Sequence, residues 1–350
     1  GIAAIGDVQR LKRIGSKVVI VYFLMTVIAC IVGIVMVNIT HPGVGFTLDN
    51  MQAFDTSKVK TPSFVNFLFD MVPVNIVDSM AKNQIMQMIF FTVLVGVALV
   101  SLGEKVAGVT KIFDQCASII YKMLDIVMLY SPIGVLALMA NTTAVFGPKL
   151  FGVLAKFVFT DWVGCLLIWF FFSGIVWLYT KVNYLEMCKS MIPIWVNTIA
   201  TNSSAGTIPI TLNVTTERLK VPMSIASFSI PLGATINLTG AALYKTILAF
   251  FVAEIYGLQL TIDQILMVII ISTIMSIAAP GIPGGGIVTG AIFLNLLGLP
   301  MDLMGPIAGM YRLIDMSHTT VNVSGDVLGT MLVAKNENIW TGEDFNKTLV

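Results

Sequence analysis

Asp315, Thr319, Asn322 and Asp326 stand 4, 3 and 4 residues apart. That spacing puts two carboxylates, a hydroxyl and an amide on one face of a helix. Their neighbours are Met, Val and Leu, and a carboxylate held among such residues in a bilayer is retained where it lines a path for an ion or a polar solute. The chemistry available is specific. Asp315 can accept from an ammonium group. Asn322, Ser204 and the free amides at helix starts can donate to a carboxylate. Asp326 with nearby backbone carbonyls offers the hard oxygens that small cations select. Two plainer readings compete: a surface helix with a polar stripe, and an Asp315 that only pairs with Arg312 three residues earlier.

The surrounding chain decides between them. It has 350 residues, 57% hydrophobic and 11% charged, whereas a soluble domain carries roughly 25% charged residues. This composition implies an all-α polytopic protein of the cell membrane, in contact with the lipid bilayer. A net charge of +1 gives no reason to expect a nucleic-acid partner. Cys30, Cys116, Cys165 and Cys188 are dispersed without a C-x-x-C pair, which suggests neither disulfides nor a zinc site. His41 sits in a turn-rich stretch, 41–62, and reads as a loop residue. Gly1 to Lys17 is basic and polar and resembles a loop between helices, so preceding helices are expected.

Apolar runs at 18–37, 85–102 and 154–179 are long enough to cross a bilayer, which needs about 20 residues. A short piece at 64–79 is interrupted at Pro73. The stretch 105–139 predicts a span kinked at Pro132. Beyond 180 the runs are broken. Residues 185–214 are split by Thr201-Asn202-Ser203-Ser204-Ala205-Gly206-Thr207, and each half is too short to cross, which predicts a re-entrant hairpin with a polar tip. Residues 221–256 are interrupted by a polar stretch between Gly233 and Gly240. The pattern then repeats, with a hairpin at 262–297 broken from Ala279 to Gly286 and a last helix at 303–335. Paired broken segments point to an inverted-repeat transporter with its site at the midplane. Basic residues (Arg10, Lys12, Arg13, Lys17; Lys181, Lys189; Arg218, Lys220) place the two hairpins on opposite faces of the membrane.

Four motifs, in order, resemble the dicarboxylate/amino acid:cation symporters, the glutamate transporter family. They are the first-hairpin tip 201–209, Pro231 to Asn237, the second-hairpin tip Gly281 to Gly286, and Asp315 to Asp326. The similarity covers essentially the whole chain and begins just before the family's third helix, leaving its first two helices outside the sequence. The resemblance implies a third-helix element at 14–40, scaffold and trimerisation helices at 62–142, and a mobile transport domain at 150–350. It also implies a homotrimer, an elevator movement, and sodium as the coupling ion with no organic cofactor. By resemblance, Ser203, Ser204, Ala241, Gly281, Gly284, Asp315, His318, Thr319 and Asn322 surround the substrate, with Asp315 and Thr319 on its amino group and Asn322 and Ser204 on its α-carboxylate. Gly233, Asn237, Asn322 and Asp326 would hold a first sodium. Thr235, Ser276, Ile277 and Ala278 would hold a second.

Departures from the family pattern shape the functional expectation. A third cation site would rest on Tyr22, Thr26, Asn237 and Thr239, but Thr239 and Met25 replace the family's Asp and Thr. The Arg and Thr that recognise acidic side chains correspond to His318 and Ala241. Asn202 and Tyr311 also depart. Imidazole lacks the bidentate, permanent charge of guanidinium, so the expected activity is cation-coupled uptake of a neutral or polar amino acid. The alternative is symport of glutamate, aspartate or a C4-dicarboxylate coupled to sodium or protons, with Arg312 as a substitute cation. His318 could also make transport pH-dependent. An intramembrane serine hydrolase using Ser204 and His318 lacks the G-x-S-x-G elbow. A passive channel fits poorly with a cage of charged and hydroxyl groups.

Overall fold

The computed structural model describes residues 14–45, 69–82, 84–147, 149–278, 281 and 283–347. The described residues form fourteen α-helices: α1 (Ser16–Thr40), α2 (Ile76–Ala81), α3 (Ile85–Leu102), α4 (Ala107–Met128), α5 (Ser131–Phe146), α6 (Lys149–Thr180), α7 (Tyr184–Thr201), α8 (Ser204–Asn213), α9 (Met223–Ile236), α10 (Thr239–Ile255), α11 (Ile262–Ala278), α12 (Gly285–Leu296), α13 (Met304–Asn336) and α14 (Gly342–Asn346). Four helical stretches are long and apolar enough to cross a membrane: 16–40, 86–120, 149–180 and 223–255. The protein is therefore an all-helical, multi-pass membrane protein.

Each break falls where the sequence weakens the helix ladder. Pro132 starts α5 after the turn at Tyr130, so the expected kinked span is two helices. Residues 64–68 of the expected short piece lie outside the described residues, and α2 begins beyond Pro73. α7 ends where Asn202 enters the left-handed region at φ 52°. Ser203 then caps α8, its hydroxyl accepting from Gly206 N–H at 3.0 Å. The α9–α10 break falls at Asn237 and Leu238, inside the polar stretch. The second hairpin turns between α11 and α12, with Gly284 at φ 76°.

α13 runs through the middle of the body and touches α1, α5, α6, α7, α9, α10 and α12. Small residues let helices meet closely. A Cβ on Gly240 would lie 2.6 Å from His318 Cα, so the start of α10 can touch the centre of α13 only without a side chain. A Cβ on Gly233 would collide with the Asp326 carboxylate, which brings the end of α9 against the same helix. His41 is more than a loop residue. It caps α1 in the left-handed region at φ 44°, and its Nδ1 lies 2.9 Å from Glu254 Oε1. The four cysteines are free thiols.

Candidate functional site

The site lies where two hairpin tips and one broken helix meet the middle of α13. Asn202, Ser204, Leu238, Ala241, Gly281, Gly286, Thr289, Tyr311, Asp315, His318, Thr319 and Asn322 line a single cavity. Its free volume is about 30 Å³, the size of one water molecule. The tips are in contact. The Gly281 carbonyl accepts from Ser203 Oγ and from Ala205 N–H, both at 3.3 Å. The contact between the tips narrows this space.

On the α13 face, Asp315 Oδ2 accepts the Gly284 N–H at 3.1 Å. The carboxylate therefore ties α13 to the start of α12, the positive end of that helix. Arg312 is exposed and directs Nη2 to Ala200 O at 3.4 Å, so the plain Asp315–Arg312 ion pair does not form among the described residues. Asn322 Oδ1 accepts the Gly240 N–H at 2.7 Å, which leaves its amide hydrogens to donate. Thr319 is buried against the cavity. Asn202 Nδ2 donates to Arg312 O at 3.0 Å, fastening the first tip to α13. These contacts bring together all the residues expected to surround a substrate, except that Ser203 and Gly284 act from just behind the lining.

His318 lines the cavity and is also held from outside it. Its Nε2 lies 2.8 Å from Asp161 Oδ1 on α6, and both side chains are essentially sealed from solvent. Ser317 Oγ donates to the other carboxylate oxygen at 3.1 Å. The expected selectivity residue is thus held by a carboxylate from behind the cavity wall, and its Nδ1 has no partner. Asp161 was not anticipated, although it is the one acid in the 154–179 run, and a lone intramembrane carboxylate is a functional signal. No hydrogen bond joins Ser204 to His318 among the described residues, so the hydrolase dyad is absent.

Lys245, on α10, is a second group the sequence reading missed. It is fully buried. Its Nζ donates to Ala241 O at 3.3 Å and to Ser276 Oγ at 3.2 Å.

The cation candidates differ in quality. Asp326 is buried, and its Oδ1 accepts from Asn237 Nδ2 at 2.9 Å. Asn237 Oδ1 is buried without a partner, and Gly233 packs against the carboxylate. A carboxyl group beside an oxygen that has no partner among the described residues suits a small cation. The set at Thr235, Ser276, Ile277 and Ala278 fits less well. Thr235 Oγ1 donates to Leu232 O at 2.7 Å and keeps its lone pairs, but Lys245 Nζ already bonds the Ser276 hydroxyl. The free carbonyls that end α11 remain there as well. At the third set, Tyr22 OH donates toward Asp326 O and Ser229 O, both at 3.1 Å, and Thr26 Oγ1 donates to Tyr22 O at 2.9 Å. Thr239 Oγ1 reaches Asn322 Oδ1 at 3.5 Å. These hydroxyls tie the helices to one another.

The chain matches the family profile described as the sodium:dicarboxylate symporter family over residues 1–336. It is 30% identical over 350 residues to a proton/glutamate-aspartate symporter of Bacillus subtilis (strain 168), covering 99% of this chain and 84% of that protein. It is 32% identical to a protein of the same description from Escherichia coli (strain K12), covering 97% of this chain and 79% of that one. A C4-dicarboxylate transport protein of Bacillus subtilis (strain 168) is 30% identical, covering 97% and 82%. With its broken helices, facing hairpin tips and carboxylate-bearing last helix, the chain is a secondary transporter rather than an enzyme, and it belongs to the sodium:dicarboxylate symporter family.

Proposed function

We propose that the protein carries glutamate, aspartate or a related dicarboxylate across the cell membrane in symport with sodium or protons. The observation that carries this reading is the convergence of Asp315, Thr319, Asn322 and two hairpin tips on one buried cavity. The relatives' described substrates favour an acidic solute over the neutral amino acid expected from the sequence. The residues fit the head of an amino acid. Asp315 would exchange the Gly284 N–H for an ammonium group, and the Asn322 amide and the Ser204 hydroxyl would hold the α-carboxylate. Asp326 and Asn237 would hold the coupling cation. Residues 62–142 would form the fixed scaffold of a homotrimer and 150–350 the moving unit of an elevator.

One observation favours a second reading, a neutral or polar amino acid. Asp161 engages His318, so the residue standing where the family has Arg is already held by a carboxylate of the protein. Uptake into proteoliposomes separates the two. Labelled aspartate, succinate and serine would be offered under inward sodium or proton gradients. Gradient-dependent accumulation of aspartate or succinate is expected. Accumulation of serine alone supports the second reading, and no gradient-driven uptake of any of them overturns both.

A further inference from the structure

Lys245 raises a problem that the rest of the site does not solve. It is a lysine in the interior of a membrane protein with no exposed surface. No carboxylate lies within ion-pair distance of it among the described residues. Its two acceptors, Ala241 O and Ser276 Oγ, are neutral. An ammonium group has three donors, so one is left over. A buried charge without a counter-charge is costly, and an apolar side chain of similar volume would fill the space without that cost. A purely structural tie between α10 and α11 does not need a charge.

Position supplies the use. Ala241 and Lys245 are four residues apart and share one face of α10. A helical side chain leans toward the N-terminus of its helix, over the preceding turn. The Lys245 stem therefore runs back toward Ala241, and Ala241 is part of the cavity wall. A methyl is all that α10 places there. Lys245 Nζ thus lies 3.3 Å from the carbonyl of a residue that lines the cavity. The second contact, Ser276, is on an arm of the second hairpin.

The other basic groups are accounted for. His318 faces Asp161, and Arg312 is exposed with its guanidinium on Ala200 O. This leaves one buried amine with spare donor capacity beside the cavity, a group that a substrate carboxylate would hold in its charged form. We propose that Lys245 is the specificity-determining residue that grips the distal carboxylate of an acidic substrate. The inference rests on the acidic-substrate reading above. It names the group that would make that reading workable without an arginine on α13. In the closed, water-sized cavity the ammonium is parked on Ala241 O and Ser276 Oγ, and a substrate carboxylate replaces one of these two neutral acceptors with a charged one.

The test compares affinities for L-aspartate and L-serine in the full chain and in Lys245→Met, Lys245→Gln and Lys245→Arg. Binding is read by thermal shift of purified protein and transport by proteoliposome uptake. Charge-assisted hydrogen bonds are worth enough that the aspartate-to-serine affinity ratio should fall by roughly ten- to hundredfold in Lys245→Met. Lys245→Arg should keep the preference for aspartate. If Lys245→Met does not fold, Lys245→Gln retains a hydrogen-bonding head for Ser276 and Ala241 without the charge, and the same fall is expected. An unchanged ratio in the neutral variants overturns the proposal, as does an equal loss of both ligands, which marks a structural tie. A starting protein that takes only serine also overturns it. Failure of the acidic-substrate reading would look different, because the unsubstituted protein would itself take serine alone or accumulate nothing, whereas failure of the Lys245 assignment leaves aspartate uptake in place and the ratio unchanged in the variants.

Discussion

Two stretches of this chain are long and apolar enough to span a bilayer and yet sit at opposite extremes of burial. In an apolar 18-residue window of the stretch 86–120 only 6% of residues are buried inside the protein, whereas in the corresponding window of 223–255 the share is 89%. The exposed one is the more apolar. Its side chains Ile112, Phe113, Ile119 and Ile120 face outward, where lipid or a neighbouring subunit can cover them. The enclosed one buries Asn237, Thr239, Lys245 and Thr246. In water the order would be reversed, with the most apolar segment innermost. In a bilayer the solvent is itself apolar, so polar groups are what the protein must enclose. Here the interior is where the chemistry lies.

Substitutions can break or sharpen that contrast. The largest effect should come from a matched pair. Ile247, with no exposed surface, and Ile119, 60% exposed, would each be changed to Ser. Ile247→Ser should cost about 3–5 kcal/mol, through lost packing and an unpaired hydroxyl. Ile119→Ser should change thermal stability in detergent by about 0.5 kcal/mol or less. Equal losses would mean that α4 is packed within the folded chain after all.

The second effect tests the enclosed pair. Asp161→Ala leaves His318 sealed without its carboxylate and should also cost about 3–5 kcal/mol. Adding His318→Leu should recover most of the loss, and a double variant no more stable than the single one would show that Asp161 supports something other than His318. The third concerns the second tip. A methyl on Gly286 would collide with the Tyr311 hydroxyl. Gly286→Ala should lower stability by about 1–3 kcal/mol, and Tyr311→Leu in the same chain should relieve it, as read from the unfolding midpoint.

The smallest effect lies outside the membrane. The Thr341 backbone N–H and hydroxyl both donate to Asp344, at 2.8 and 2.9 Å, and hold its carboxyl below the usual range. A depressed folded pKa stabilises above the unfolded value, about 3.9, and that contribution is lost as the pH falls through the folded value. The stability difference between the protein and Asp344→Asn should thus be present at neutral pH and vanish in acid. A difference that persists below pH 3 would show that the cap does not depend on the charge.

The sequence made the helices and their interruptions legible because these are local. Length, hydropathy and the clustering of Gly, Pro and Asn locate α7–α8, α9–α10 and α11–α12 to within a few residues. The polar face of α13 was legible for the same reason, since a period of 3.6 is visible along the chain. The partners of that face were not. Asp161 and His318 are 157 positions apart, and nothing in either segment specifies the register in which α6 crosses α13. That register depends on close approaches at other sites, such as Gly164 against Leu243. The expectation of a neutral substrate treated His318 as a free member of the cavity face and passed over Lys245 entirely. Each residue is a charge-bearing group within an apolar run, so residue type supplied a signal where spacing did not.

The single carbonyl of Gly281 has a consequence for how often the site opens. It accepts from both Ser203 and Ala205, so the two tips share one latch, and parting them takes both donors from one acceptor. A net stabilisation of about 0.5–1.5 kcal/mol per hydrogen bond gives a combined hold of roughly 1–3 kcal/mol. That alone would leave the unlatched form at roughly one molecule in ten to one in a hundred. The hold is weak enough for a solute to outcompete on binding. It is also strong enough to keep the two tips together most of the time.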